Sequence, residues 1–189
     1  MPGPSSLRKR AALEIHLGEK SGMAVKGSVP DPGVIVPHLV VRNAEEALAF
    51  YEKAFSARVL YRSPSPGGDG EHLHLKVWES LIQLSTEEPA QRRDRVEGAL
   101  LAPPETLSGS TCVFQVAVAN VYEAYKRAID SGASPAMPPT DMFWGDRYGW
   151  VRDPFGHMWA LSEIREVLTP EQIEERMRGF AAQMKGEAL

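Results

Sequence analysis

One cysteine, few aromatic residues and no long apolar run set the first limits on this 189-residue chain. Cys112 stands alone, which excludes an internal disulfide and a cysteine-rich zinc site and fits a reducing cytoplasm, the location expected. No stretch approaches the roughly 18 consecutive apolar residues of a membrane span, so no membrane partner is expected. The 21 Lys and Arg are outnumbered by 25 Asp and Glu, giving a net charge of −4. Without a global basic field the chain is not expected to hold nucleic acid. Arg8, Lys9 and Arg10 form a positive cluster with no apolar segment behind it, so no secretory signal is expected. The glycine-rich dinucleotide fingerprint, the P-loop and the nucleophile elbow are all missing.

What is present is a repeat. Residues 34–43 (VIVPHLVVRN) and 111–120 (TCVFQVAVAN) are two copies of one strand-into-helix unit, separated by 77 positions. The same offset carries Asn43, Glu46 and Ala47 onto Asn120, Glu123 and Ala124, and residues 81–85 onto 158–162. Read as free of insertions and deletions, this spacing predicts two similar modules of about 50–55 residues each.

The first 33 residues mix Pro, Gly, Ser and charges without a period and read as a flexible extension. Module one spans 34–86: a strand at 34–41, a helix at 43–55, then strands at 57–63, 71–78 and 80–85. Asn43 and Glu46 are placed to cap the helix, and Ala44, Ala47, Leu48, Tyr51, Ala54 and Phe55 recur on one face. Residues 87–110 are charged and proline-rich, a linker that could serve as a lid. Module two, 111–165, repeats the plan with a strand at 111–118, a helix at 120–131 and strands at 134–141, 147–152 and 157–163. The remainder, 166–189, begins with Thr169, Pro170 and Gln172, a helix start, and carries Ile173, Met177, Phe180 and Met184 as one apolar stripe. Each module thus reads β-α-β-β-β, an α+β fold of two tandem units forming a curved mixed sheet around a cleft.

Three segments carry a resemblance. The helix from Leu48 to Phe55, the run from Phe143 to Gly149 (FWGDRYG) and the run from Asp153 to His157 (DPFGH) resemble the vicinal oxygen chelate superfamily, the glyoxalase and bleomycin-resistance fold, in its PhnB-like branch. The likeness covers residues 34–165. Metal-dependent members place His, Gln or Glu at one point on the first and last strand of each module. Those points fall here on Val36, Gln83, Val113 and Ala160. Val and Ala offer no lone pair, and a single amide oxygen is a poor anchor for a divalent ion, so the resemblance implies the fold without its usual metal.

Strand parity selects other cleft residues. His38, His72, His74, Gln83 and Gln115 share the face of those four positions, with Lys76, while Leu73, Leu75 and Val77 point toward the helix. Tyr61, Trp144, Tyr148 and Trp150 are candidates for the mouth, and Arg147 either pairs with Asp146 in a turn or meets an anionic ligand. Cys112 shares parity with Phe114 and reads as a core thiol, and His157 as a structural residue in a turn. The expected function is a cofactor-free homodimer that binds a small, partly aromatic molecule, as in sequestration of an antibiotic or toxin. The alternative is a lyase, isomerase or dioxygenase with a divalent metal at His38, His72 and His74, or with these histidines as acid–base groups.

Overall fold

The computed structural model describes residues 35–65, 70–87 and 101–186. The expected extension at 1–33 and most of the linker at 87–110 lie outside the described residues. The elements run β1 (His38–Val41), α1 (Ala44–Phe55), β2 (Arg58–Pro64), β3 (Glu71–Val77), β4 (Ser80–Thr86), α2 (Pro104–Leu107), β5 (Val113–Ala117), α3 (Val121–Asp130), β6 (Ser134–Asp141), β7 (Asp146–Arg152), β8 (Met158–Ile164) and α4 (Pro170–Gly186). The short helix α2, in the segment read as linker, is the one described element the sequence pattern did not indicate.

Two four-stranded sheets have the same order, β1-β4-β3-β2 and β5-β8-β7-β6. In each, the first and last strands pair in parallel and the others antiparallel. The repeat holds at the level of single rungs: His38 faces Gln83 on β4 as Gln115 faces Ala160 on β8. It is not free of shifts, however. Gln83 pairs with His74, whereas Ala160 pairs with Trp150, so the third strand of module two is displaced to an offset of 76. The reason lies in the hairpins. Lys76 and Leu81 enclose four residues, while Arg152 and Met158 enclose the five from Asp153 to His157.

Local chemistry explains the helices. Asn43 Oδ1 accepts from the N–H groups of Glu45 (3.0 Å) and Glu46 (3.2 Å), and its Nδ2 donates to Glu46 Oε1 at 2.8 Å. Glu45 and Glu46 lie at the positive end of α1 and Lys53 at its negative end. Asn120 repeats the cap on α3 by accepting from Glu123 N at 3.2 Å. Thr169 and Gln172 form the expected reciprocal cap on α4.

Both helices bury their apolar faces in one core. Leu39, Val41, Leu73, Leu75, Val77, Ile82 and Leu84 of the first sheet pack with seven residues of α1, and the same cluster takes in Ala128, Ala133, Val151 and Trp159 of module two. Trp159 on β8 lies 4.6 Å from Phe55 and 5.7 Å from Tyr51, ring centre to ring centre. Arg127 Nε of α3 donates to the Ala54 carbonyl at 2.8 Å. Phe50, outside the expected stripe, is buried beside Phe155 of the other module. The helix-covered faces of both sheets therefore meet, and the uncovered faces look outward on opposite sides of the shared core.

Two expectations are corrected. Cys112 is exposed, because it precedes β5 and stands outside the paired strand. Arg147 pairs with Asp141 across the β6–β7 hairpin at 2.5 Å, not with Asp146, because neighbours on a strand point to opposite faces. Asp146 instead accepts from Ser162 Oγ at 2.5 Å.

Candidate functional site

The first uncovered face gathers the histidines. Leu73, Leu75 and Val77 are fully or nearly buried under α1, so the alternate residues of β3, His72, His74 and Lys76, point the other way. His72 Nε2 and His74 Nε2 lie 3.1 Å apart in one shared hydrogen bond. Gln83 Nε2 is 3.3 Å from His74 Nε2. His38 closes the group from β1, its ring centre 5.4 Å from that of His72 and its Nε2 bonded to Ser85 Oγ at 2.9 Å. Tyr61 on β2 packs edge-on to His74 at 5.4 Å. Partial burial of the ring, with His72 and His74 beside it, holds the His38 imidazole below its ordinary pKa.

Ser85 escaped the sequence reading. It follows Gln83 by two positions on the same strand, and that spacing alone placed it on this face.

The second uncovered face is aromatic. Tyr148 and Trp150 alternate on β7 with the buried Gly149 and Val151. Trp144 lies 5.5 Å from Tyr148, and Tyr148 lies 6.2 Å from Trp150. Beneath them Ala160 and Ser162 are almost completely buried, while Gln115 and Val113 on β5 are exposed. Trp150 Nε1 is buried and, among the described residues, has no hydrogen-bond partner. The small Ala160 stands opposite this indole, where module one sets Gln83 opposite His74.

Of the expected site residues, His38, His72, His74 and Gln83 come together on the first face. Gln115, Trp144 and Tyr148 belong to the second, on the far side of the core. Arg147 joins neither. It turns toward α3, with its guanidinium 5.0 Å above the Tyr122 ring. Among the described residues, no hydrogen bond or ring contact crosses from one uncovered face to the other.

A third feature is a groove of about 570 Å³ between the β6–β7 turn and α4, lined by Phe143, Arg147, Arg165, Glu166, Arg176 and Phe180, among others. Its charges are internally paired: Arg176 binds both oxygens of Glu166 at 3.0 and 2.8 Å, and Phe180 packs on Phe143 at 5.6 Å. Gly145 is required there. Its φ is +98°, and a Cβ would sit 2.5 Å from the Glu166 carbonyl oxygen. Of the expected apolar stripe on α4, Ile173 and Phe180 are half-buried and Met177 is exposed, while the side chain of Met184 lies outside the described residues.

The four chelating positions named by the resemblance can be tested for fit. Gln83 is the one oxygen-bearing side chain among them, and its amide is engaged with His74. Val36, Val113 and Ala160 are hydrocarbon. The set does not fit a divalent ion. Among the described residues, no three His, Cys, Asp or Glu side chains are arranged so that they could hold a metal. Nor is any described helix long and apolar enough to cross a membrane.

Relatives agree with this architecture. A protein of Mycobacterium bovis described as uncharacterized is 38% identical over 132 residues, covering 69% of this chain and 84% of the relative. A counterpart in Mycobacterium tuberculosis is also 38% identical over 132 residues, covering 69% of this chain and 75% of its own. The crystal structure of TioX from Micromonospora sp. ML1 superposes with a TM-score of 0.52 at 23% identity, covering 69% of this chain and 97% of TioX. A glyoxalase/bleomycin resistance protein/dioxygenase family enzyme from Burkholderia phytofirmans PsJN superposes at 0.54 with 17% identity, covering 67% and 94%. The model of the Glyoxalase/Bleomycin resistance protein/Dioxygenase superfamily matches residues 33–161. With its paired βαβββ sheets, the chain belongs to that superfamily.

Proposed function

We propose that this protein is a metal-free, dimeric binder of a small, partly aromatic molecule, of the kind that sequesters an antibiotic or toxin. The observation that carries this reading is chemical. Three of the four positions where the superfamily chelates a metal are Val36, Val113 and Ala160, while the surfaces around them offer indole, phenol and imidazole rings. Such surfaces hold a ligand by stacking and a few directed hydrogen bonds.

Where the faces point supports the homodimer. One chain turns its imidazole face and its aromatic face in opposite directions, so neither can serve as the opposite wall of a cleft for the other. A twofold arrangement of two copies would set the first face of one against the second face of its partner and make two equal clefts. The edge strand β5, with Val113, Gln115 and Ala117 exposed, favours such association.

The test is metal analysis and light scattering on protein purified without a histidine tag. The reading expects a dimeric mass and no stoichiometric metal. A tightly held ion at one per chain, lost together with ligand binding on chelation, would instead favour the enzymatic alternative.

A further inference from the structure

The two faces differ in charge as well as in shape. On the first, the register places His38, Gln83 and Ser85 beside His72, His74 and Lys76, and then Arg58, Tyr61 and Ser63. Among the described residues this face carries no Asp or Glu of its own strands, in a chain whose net charge is −4. Of the acids nearby, Glu87 keeps the parity of Ser85 just past the end of β4 and is paired there with Arg42 at 3.9 Å, while two others turn elsewhere. Glu71 lies on the helix side and pairs with Arg62, which also pairs with Glu45 of α1. Glu79, in the β3–β4 turn, is 92% exposed at its side chain and meets Lys76 from outside at 2.7 Å. Lys76 stands about 7 Å along the strand from His74, and Arg58 is its cross-strand partner. The second face offers the Tyr148 and Trp150 rings over the small Ala160; among the described residues of β7 it carries one acid, Asp146, engaged by Ser162, and one base, Arg152, at the strand's far end.

We propose that the cleft takes a planar aromatic anion. Its ring lies against Trp150 and Tyr148 of one copy, and its anionic oxygens, carboxylate or phosphonate, meet His72, His74 and Lys76 of the other. This rests on the ligand-binding reading given above and adds to it the sign of the charge. The Lys76 ammonium offers a charge-assisted hydrogen bond, and binding would exchange the His72–His74 contact for an N–H donated to the oxyanion, so this face discriminates for an oxyanion and against a cation. Flat rings match the aromatic wall because stacking needs a π-face on both partners.

Isothermal titration of the dimer with three naphthalene probes of similar shape tests the idea: 2-naphthoate, neutral 2-naphthamide and cationic 2-naphthylmethylammonium. The naphthoate is expected to bind about tenfold tighter than the amide, as one or two charge-assisted hydrogen bonds provide, with the cation weakest. Lys76→Met, and separately His72→Asn with His74→Asn, should reduce the naphthoate-to-amide affinity ratio from about ten to about one, with circular dichroism and an unchanged thermal melt showing that the variants are folded. Should the double histidine variant fail to fold, Lys76→Met and Arg58→Met read the same preference. Equal binding of naphthoate and amide, or a preference that survives these substitutions, would overturn the anion assignment and leave the ligand-binding reading standing. If none of the probes binds, that reading falls and the anion assignment with it.

Discussion

The Tyr51 hydroxyl of α1 donates to Asp153 Oδ2 in the β7–β8 hairpin at 2.7 Å, joining the two modules inside their common core. The same carboxylate accepts from Trp159 Nε1 at 2.9 Å, His157 N at 2.8 Å and Phe155 N at 3.0 Å. Burial pushes the Asp153 carboxyl above its ordinary pKa despite these donors, and burial beside Asp153 raises the Tyr51 phenol well above its own. Tyr51→Phe is expected to lower the unfolding free energy by about 1.5–3 kcal/mol, the worth of a hydrogen bond to a charged group. Urea denaturation measures it, and an unchanged midpoint would show that the bond does not hold the modules together.

Acid should weaken the fold before it protonates the carboxylates. Burial holds both His157, whose Nε2 lies 3.1 Å from the Val40 carbonyl, and His38 below the ordinary imidazole value. The unfolded chain therefore binds more protons than the folded one below pH 6.5, and stability falls as pH drops through that value toward the lowered folded pKa. Asp153 acts in the opposite sense. Its folded pKa is raised, so its contribution to stability grows as pH falls through that raised value toward 3.8. Thermal melts between pH 7.5 and 4 should show a decline first and a partial flattening later. His157→Gln should shrink the decline, and a melting temperature that rose from pH 7 to 6 would contradict the assignment.

The indole of Trp150 offers a prediction of unusual sign. A buried donor without a partner costs about 1–3 kcal/mol, and Trp150→Phe removes the donor while keeping an aromatic ring. The free protein should therefore become more stable, by an amount reduced where the smaller ring leaves space. Chemical denaturation of the free protein would register it; a loss of more than about 2 kcal/mol would mean that packing of the larger ring dominates.

The C-terminal helix is predicted to be dispensable for association. Phe180 on Phe143 and Arg176 on Glu166 bind α4 to its own chain, and α4 meets the aromatic face only indirectly, through Phe143 beside Trp144. A chain lacking residues 169–189 should keep a dimeric mass in light scattering at micromolar concentration. A monomeric truncation beside a dimeric full-length protein would place the interface on the helix.

Much of this was legible in the sequence, for definite reasons. The Asn43 and Asn120 caps and the alternation of residues 72–77 are local signals, and local energetics enforces them. The extra residue in the Asp153–His157 hairpin was hidden because the offset of 77 returns at β8. The back-to-back placement of the modules was hidden because a strand's alternation reports that one face is covered and not which element covers it. Phe50 held a trace of the answer: its burial beside Phe155 widens the apolar face of α1 beyond what one sheet requires. Gln115 was assigned to the histidine cluster on parity alone, which is equally satisfied on either side of the molecule.

The central claim, that each cleft joins the imidazole face of one copy to the aromatic face of the other, is tested most directly by complementation. One variant carries His72→Asn and His74→Asn; a second carries Trp150→Leu; each alone should bind 2-naphthoate weakly. A heterodimer of the two, isolated through different tags, contains one intact cleft and one doubly altered cleft if the faces meet between copies. Its titration should then recover the wild-type affinity at about half the wild-type stoichiometry. If both faces served a cleft within a single chain, every site in the heterodimer would stay impaired and no wild-type affinity would return, which would contradict the account.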